Sequence, residues 1–317
     1  MTGADPSPGP AVAPPRGLTH PGSRARGTTA LVVAALFFGS TFLVVKDAVS
    51  RVDPTPFLGM RFLIAAAVLW PLARRRSGTH REVVHGLLAG SALLAGYLLQ
   101  TYGLQRTTGS RSAFITYLLV VLVPLMEAVL LRRRPRLAAL VGAALALGGL
   151  VLLTSVPEAA TSAAPHGLGW GEVLTLLCAF FFAAHIVILG RVAHHHDPVR
   201  FTMVQLLVVG LVCSVVGVGA GYHGFDGGVW AAAAFTGVFA TAAAFVLMVS
   251  GQRVVPASRA ALLLILEPVF AAVLGYVHGD RLGVRGWVGA AVILVAIVLA
   301  DTVHHPAPET ASTVGAS

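Results

Sequence analysis

The chain has 317 residues, of which 56% are hydrophobic and only 11% charged, with 22 Lys and Arg against 13 Asp and Glu. Soluble domains carry about 25% charged residues, so this composition excludes soluble enzymes, secreted disulfide scaffolds and disordered regulators, and a membrane protein is expected. The formal charge of +9 does not point to nucleic acid, because all the basic residues except Lys46 are arginines and nearly all fall in short clusters between apolar runs, as in membrane loops.

Residues 1–27 contain six prolines, among them Pro14 and Pro15, and no apolar run; a disordered cytoplasmic tail is expected. The first apolar run continues from about residue 29 to 45 with no small-residue cleavage pattern, so it reads as a retained membrane helix rather than a signal peptide. About 20 apolar residues cross the hydrocarbon core, and ten segments of that length follow: 29–47, 55–73, 83–104, 112–131, 136–154, 171–190, 200–221, 229–250, 259–278 and 284–302. The thinnest divisions are the short charged turns at 131–136 and 278–284. Residues 155–170 read as an extracytoplasmic linker and 303–317 as a second polar tail. Cys178 and Cys213 lie inside apolar runs without CxxC spacing and read as packing residues.

With the N-terminus inside, the cytoplasmic segments hold fifteen Lys and Arg and the outer loops six, with Arg61 inside the second helix. Such an excess places both termini on the cytoplasmic side.

Phe37-Phe38 and Asp53-Pro54 recur as Phe181-Phe182 and Asp197-Pro198 at a constant offset of 144. Gln105-Arg106 and Ser110-Arg111 recur as Gln252-Arg253 and Ser258-Arg259 at offsets of 147 and 148. Four pairs in one order, each at the same place relative to an expected helix, argue for duplication of a five-helix unit, 28–154 and 171–302. Five is odd, so the second unit enters the membrane from the opposite side. The expected fold is therefore an all-α integral membrane protein of ten transmembrane helices in two inverted five-helix repeats, an arrangement used by secondary transporters.

Phe38-Gly39-Ser40-Thr41-Phe42 in the first helix resembles the aromatic-Gly-Ser/Thr-x-Phe signature of the EamA family of the drug/metabolite transporter superfamily, and Arg61 in Met60-Arg61-Phe62 matches that family's helix 2 arginine. Glu267-Pro268-Val269-Phe270-Ala271-Ala272 and Gly279-Asp280-Arg281-Leu282 are similar to its EPVFAA and GERL elements, with Asp280 in place of the usual Glu. Leu131-Arg132-Arg133-Arg134-Pro135 resembles a variant of one branch, with basic residues where other members carry an acid. The resemblance runs from about residue 29 to 302 and implies a carrier in the bacterial inner membrane, usually exporting small metabolites such as amino acids or drugs.

An ionisable side chain at the centre of a membrane helix costs at least about 2.5 kcal/mol on insertion scales, so each needs an explanation. Glu267 precedes Pro268, which frees a carbonyl one turn back and opens the helix locally; it reads either as a carboxyl that alternates between a proton and cargo or as a structural hydrogen-bonding group. Glu127, three residues beyond Pro124, reads more readily as a structural bond or an intramembrane ion pair. Arg61 is suited to clamp a carboxylate, against a structural role with Asp47, Asp53 or a helix terminus. His185 and Gln205 occupy the repeat positions of Thr41 and Arg61, and a histidine there is either a proton relay or a satisfied polar residue. Tyr97, Gln100 and Tyr117 are further polar groups able to orient a small ligand.

The run His194-His195-His196-Asp197 invites a zinc reading, but adjacent loop histidines rarely converge on one ion, and no metal or cofactor is expected. No Walker lysine or GxSxG motif is present. The expected partners are a small-molecule substrate and the lipid bilayer, with no nucleic acid, and a monomer in preference to an obligate dimer. The rivals to a coupled exporter are a membrane-embedded binding or sensor protein without transport and, further off, an intramembrane hydrolase.

Overall fold

Apolar runs of this length give the backbone no water to bond, which leaves helices as the spanning structure open to them. A computed structural model of the chain describes residues 21–107, 109–132, 137–154, 169–221, 223–277 and 283–302, and among these there are α-helices and short 3-10 and π turns but no strand. In chain order the helices are α1 (Pro21–Ser40), α2 (Phe42–Arg51), α3 (Pro54–Ala73), α4 (His80–Leu104), α5 (Gly109–Tyr117), α6 (Leu119–Leu131), α7 (Leu137–Thr154), α8 (Trp170–Val192), α9 (Pro198–Ala220), α10 (Gly227–Gly237), α11 (Ala244–Gln252), α12 (Ala257–Leu264), α13 (Leu266–Val277) and α14 (Val284–Thr302). Several join end to end into longer rods, and eight of the resulting segments are long and apolar enough to cross a membrane. The first expected span is divided at Thr41, and the last contributes the shorter apolar stretch Val284–Leu299.

The expectation for 1–27 is corrected in part, because α1 begins at Pro21. Composition predicts disorder there, whereas tertiary packing prolongs the helix: Gly27 lies against Gly251, Val254 and Val255 at the end of α11. Residues 155–168 of the expected linker and the C-terminal tail, together with Arg133, Arg134, Asp280 and Arg281, lie outside the described residues, and Trp170 already begins α8.

The repeated Asp-Pro pair is a repeated helix start. Asp53 accepts from the Thr55 amide at 2.8 Å and Asp197 from those of Val199 and Arg200 at 3.0 and 3.1 Å. In each case the proline takes the first helical position, where a missing N–H costs nothing.

Packing pairs α3 with α9, α7 with α14, α4 with α8 and α9, and α1 with α11 and α13. Small residues let the backbones approach: a Cβ at Gly149 in α7 would stand 2.7 Å from the Gly289 carbonyl of α14, and one at Gly289 2.5 Å from that of Gly149. Large apolar side chains such as Trp70, Leu88, Val129, Val215 and Val298 remain exposed around the bundle, as a lipid-facing belt requires.

Three rods are interrupted: at Thr41, Leu118 and Ile265. The break at Ile265 follows from Pro268, whose missing N–H leaves the Leu264 carbonyl without its helical partner. A fourth rod, α10 to α11, stays continuous but widens into a π turn at Val238–Ala243, where the Thr241 hydroxyl donates to the Thr236 carbonyl at 3.1 Å.

Candidate functional site

The breaks at Leu118 and Ile265 meet. Tyr117 is the last residue of α5, and Glu267 lies in the first turn of α13. The Tyr117 hydroxyl and the Glu267 carboxyl are near enough to interact. Tyr117 is buried and Glu267 keeps partial accessibility inside the bundle.

Arg61 of α3 is close enough for its charge to act on both Glu267 and Tyr97. Its direct partners are on the π turn: Nε donates to the Thr241 hydroxyl at 2.6 Å and Nη2 to the Ala240 carbonyl at 3.2 Å. A π turn shifts the helical bonding register and so offers such acceptors in mid-helix. The structural partners expected for Arg61 are elsewhere: Asp47 pairs with Arg51 at 2.6 Å, and Asp53 caps α3.

Aromatic rings enclose this group. Tyr97 sits edge-on to Phe62 at 5.0 Å and to Phe182 at 5.3 Å; Phe245 lies 6.2 Å from Phe62 and 5.3 Å, edge-on, from Phe38. These are ordinary geometries for buried aromatic pairs. The result is a largely apolar surround for one guanidinium, one carboxyl and two phenols.

Four of the eight candidate residues, Arg61, Tyr97, Tyr117 and Glu267, therefore come together. Gln100 is half-buried one turn beyond Tyr97 on α4. His185 and Gln205 bond each other instead, with His185 Nε2 2.7 Å from Gln205 Oε1, and Gln205 Nε2 donates to the Phe201 carbonyl at 3.0 Å. His185 is edge-on to the Phe245 ring with centroids 6.2 Å apart. Glu127 is apart from the group and caps α12, accepting from the Ser258 amide at 3.1 Å and from the Ser258 hydroxyl.

Sequence reasoning missed Thr241 and Phe245. Neither carries a signal, since the run Val238-Phe239-Ala240-Thr241-Ala242-Ala243 reads as ordinary apolar helix.

The profile of the EamA-like transporter family matches residues 25–155 and, a second time, 169–300. The chain belongs to the EamA-like transporter family. Its similarity to other proteins extends over most of its length. An uncharacterized transporter of Archaeoglobus fulgidus is 29% identical over 271 residues, spanning 85% of this chain and 83% of that one. The uncharacterized transporter YetK of Bacillus subtilis is 26% identical over 255 residues and 77% of each chain. A chloroplastic WAT1-related protein of Arabidopsis thaliana is 24% identical over 289 residues, spanning 86% of this chain and 69% of that one. One crystal structure shares the fold at 20% identity, with a TM-score of 0.74 over 87% of this EamA-like chain and 96% of the other.

Proposed function

We propose that this membrane transporter is a secondary active carrier that exports a small metabolite by alternating access, with proton or exchange coupling through Glu267. The observation that carries this reading is the nearness of Tyr117 and Glu267, each beside a helix interruption, to each other and to the Arg61 charge. Interrupted helices at corresponding positions in the two halves mark the substrate site of inverted-repeat carriers. The breaks at Leu118 and Ile265 are 147 residues apart, within the offsets of the sequence repeat. Two successive matches to one family profile support the same duplication, as does the reciprocal packing of α4 on α8 and of α1 on α11.

Under this reading the chain holds ten spanning helices in two inverted repeats, works as a monomer in the bacterial inner membrane, and keeps both termini in the cytoplasm. Cargo and proton compete for Glu267: when the carboxyl is charged it draws on the Tyr117 hydroxyl and the Arg61 field, and when it is protonated that hold weakens and the chamber can change sides. Arg61, steadied on the π turn, is the counter-charge for an anionic group of the cargo. Tyr97, Gln100, His185 and Gln205 shape the chamber wall, and Glu127 holds α12 in place.

The test compares metabolites inside and outside cells that express the wild type, Glu267→Gln or an empty vector at matched membrane levels. The expected result is a compound enriched outside with the wild type alone. Equal enrichment with Glu267→Gln would remove Glu267 from the coupling step.

A further inference from the structure

At the end of the bundle where α3 passes into α4 and α8 into α9, the two halves of the chain are tied by a cluster rich in histidine. His85 on α4 and His196 in the α8–α9 turn share a hydrogen bond, Nδ1 to Nε2, at 2.8 Å, with their rings edge-on at 5.0 Å. His196 is only 6% exposed, stacks 5.1 Å from Phe201, and its Nδ1 is buried without a partner among the described residues. The other end of the bundle is tied by Arg51, which pairs with Asp47 at 2.6 Å and Asp226 at 3.3 Å and involves no histidine in those contacts.

We propose that the His85–His196 bond is a pH-controlled latch, which holds the start of α4 to the α8–α9 turn while both imidazoles are neutral and is released by acidification at that end of the bundle.

A bond between two imidazoles needs one ring nitrogen with a proton and one without. When both rings are protonated, every nitrogen is a donor and the bond cannot exist. The surroundings also oppose the first proton. The carboxylates that face the pair are already engaged: Glu82 of α4 accepts from Arg200 at 2.9 Å, and Asp197 pairs with Arg76. Arg200 additionally bonds the Ala73 and Arg76 carbonyls at the end of α3. The other titratable groups on the elements that meet here include His80 and Arg81 on α4, Arg74 and Arg75 after α3, Arg191 at the end of α8, His194 and His195 in the turn, and Arg253 beyond α11. All are cationic when charged, and they include no carboxylate to balance a charged His196. A proton on His196 would in addition bury its Nδ1–H, or the charge it shares, without a partner.

Burial, and then His85, His195 and His194 in that order, hold His196 below its ordinary value. The latched state therefore binds protons less readily than the released one, so the latch is at full strength above the free imidazole value and weakens as pH falls through it. With a free value near 6.5, one proton changes the ratio of released to latched protein by at most about tenfold between pH 7.5 and pH 5.5. Release itself is independent of the cargo; only its consequence, freeing that end of the bundle to part, rests on the alternating-access reading.

The experiment places nitroxide labels on cysteines introduced at the exposed positions Leu87 and Arg191, with Cys178 and Cys213 replaced by alanine, in full-length protein in lipid nanodiscs. The distance distribution is measured by pulsed electron resonance at pH 7.5 and pH 5.5. The expected result is a several-fold rise in the longer-distance population at pH 5.5, its loss in His196→Gln, and its retention in His195→Gln, whose histidine lies outside the bond. His85→Gln serves in the same way if His196→Gln does not fold. A distribution unaffected by pH in the parent, a response that persists in His196→Gln or His85→Gln, or an equal loss in His195→Gln would each overturn the latch. No cargo enters this measurement, so its failure is separate from any failure of Glu267 in the export assay.

Discussion

Replacing Gly39 by alanine tests whether the first helix is a rigid wall of the candidate site. A Cβ at Gly39 would stand 2.5 Å from the Glu267 carbonyl oxygen, 3.0 Å from the Ala271 amide nitrogen and 3.0 Å from the Phe270 Cβ. Two of these atoms are backbone and the third is fixed to it, so no side chain can swing away. Carbon contacts settle at about 3.5 to 4.0 Å, which requires α1 and α13 to part by about 1 Å. Overpacking of this kind costs about 1–3 kcal/mol, partly offset by the roughly 0.5–1 kcal/mol that alanine gains over glycine within a helix. A net loss of about 1–2 kcal/mol is expected. Gly148→Ala is the reference, since a Cβ there meets nothing within 4 Å and only the propensity gain remains. Unfolding of both variants in mixed SDS micelles gives the comparison. Stability of Gly39→Ala equal to that of Gly148→Ala would refute the tight crossing. Because the displaced turn carries Glu267, export is expected to fall along with stability.

Two further outcomes follow from the caps and the π turn. Asp197→Ala removes an acceptor for two helix-start amides and the partner of Arg76, and is expected to destabilise by about 0.5–2 kcal/mol in the same assay. Burial opposes the charged form of Asp197, but the Arg200 amide, Arg76 and the Val199 amide together hold its carboxyl below the usual range. Its contribution is therefore complete above the free value of about 3.9 and is lost as pH falls below that, so the gap between wild type and Asp197→Ala is expected to close below about pH 4; a gap that stays constant would contradict this. Thr241→Val leaves the buried Arg61 Nε without its 2.6 Å acceptor and is expected to cost about 1–3 kcal/mol, whereas Thr241→Ser keeps the hydroxyl and most of the stability. Equal stability of the two would show that the π turn does not anchor Arg61.

The legible parts of the molecule were those fixed by local chemistry. Asp53-Pro54 and Asp197-Pro198 stood out because an N-cap followed by a ring-fixed first residue is written in two adjacent letters. Pro268 announced the opening beside Glu267, since the loss of one N–H acts on the helix that contains it. Long-range contacts left no such trace. Tyr117 was one polar residue among several until the fold brought it to Glu267, 150 residues away. The acceptor for Arg61 is a π turn in an alanine-rich run without glycine or proline at its centre, where Asp47, Asp53 or a helix terminus is the partner expected from sequence. The repeat singles out His185 and Gln205 as the counterparts of Thr41 and Arg61, but only the fold shows that they bond each other. The start of α1 at Pro21 was hidden because composition records what a segment lacks, not the groove that Gly251 and its neighbours offer it.

Under the proposed duplication, the chemistry sits where the two halves differ. Phe38 and Phe182, one repeat apart, each meet an aromatic ring edge-on at 5.3 Å, with interplanar angles of 74° and 78°. Their partners are Phe245 and Tyr97, themselves 148 residues apart. The aromatic frame around Arg61 and Tyr97 is thus nearly the same in both halves, as the proposed alternating access would require. The polar groups break that equivalence. Tyr97 answers to Phe245, Arg61 to Gln205, and at the offset of the helix breaks Tyr117 answers to Leu264 and Glu267 to Val120. A matched frame makes two inward- and outward-facing arrangements close in energy, since each exchanges similar apolar contacts. In the proposed mechanism a single carboxyl and a single guanidinium at its centre bias the choice between them, because a ligand or proton shifts such an equilibrium only through its differential interaction with the two states.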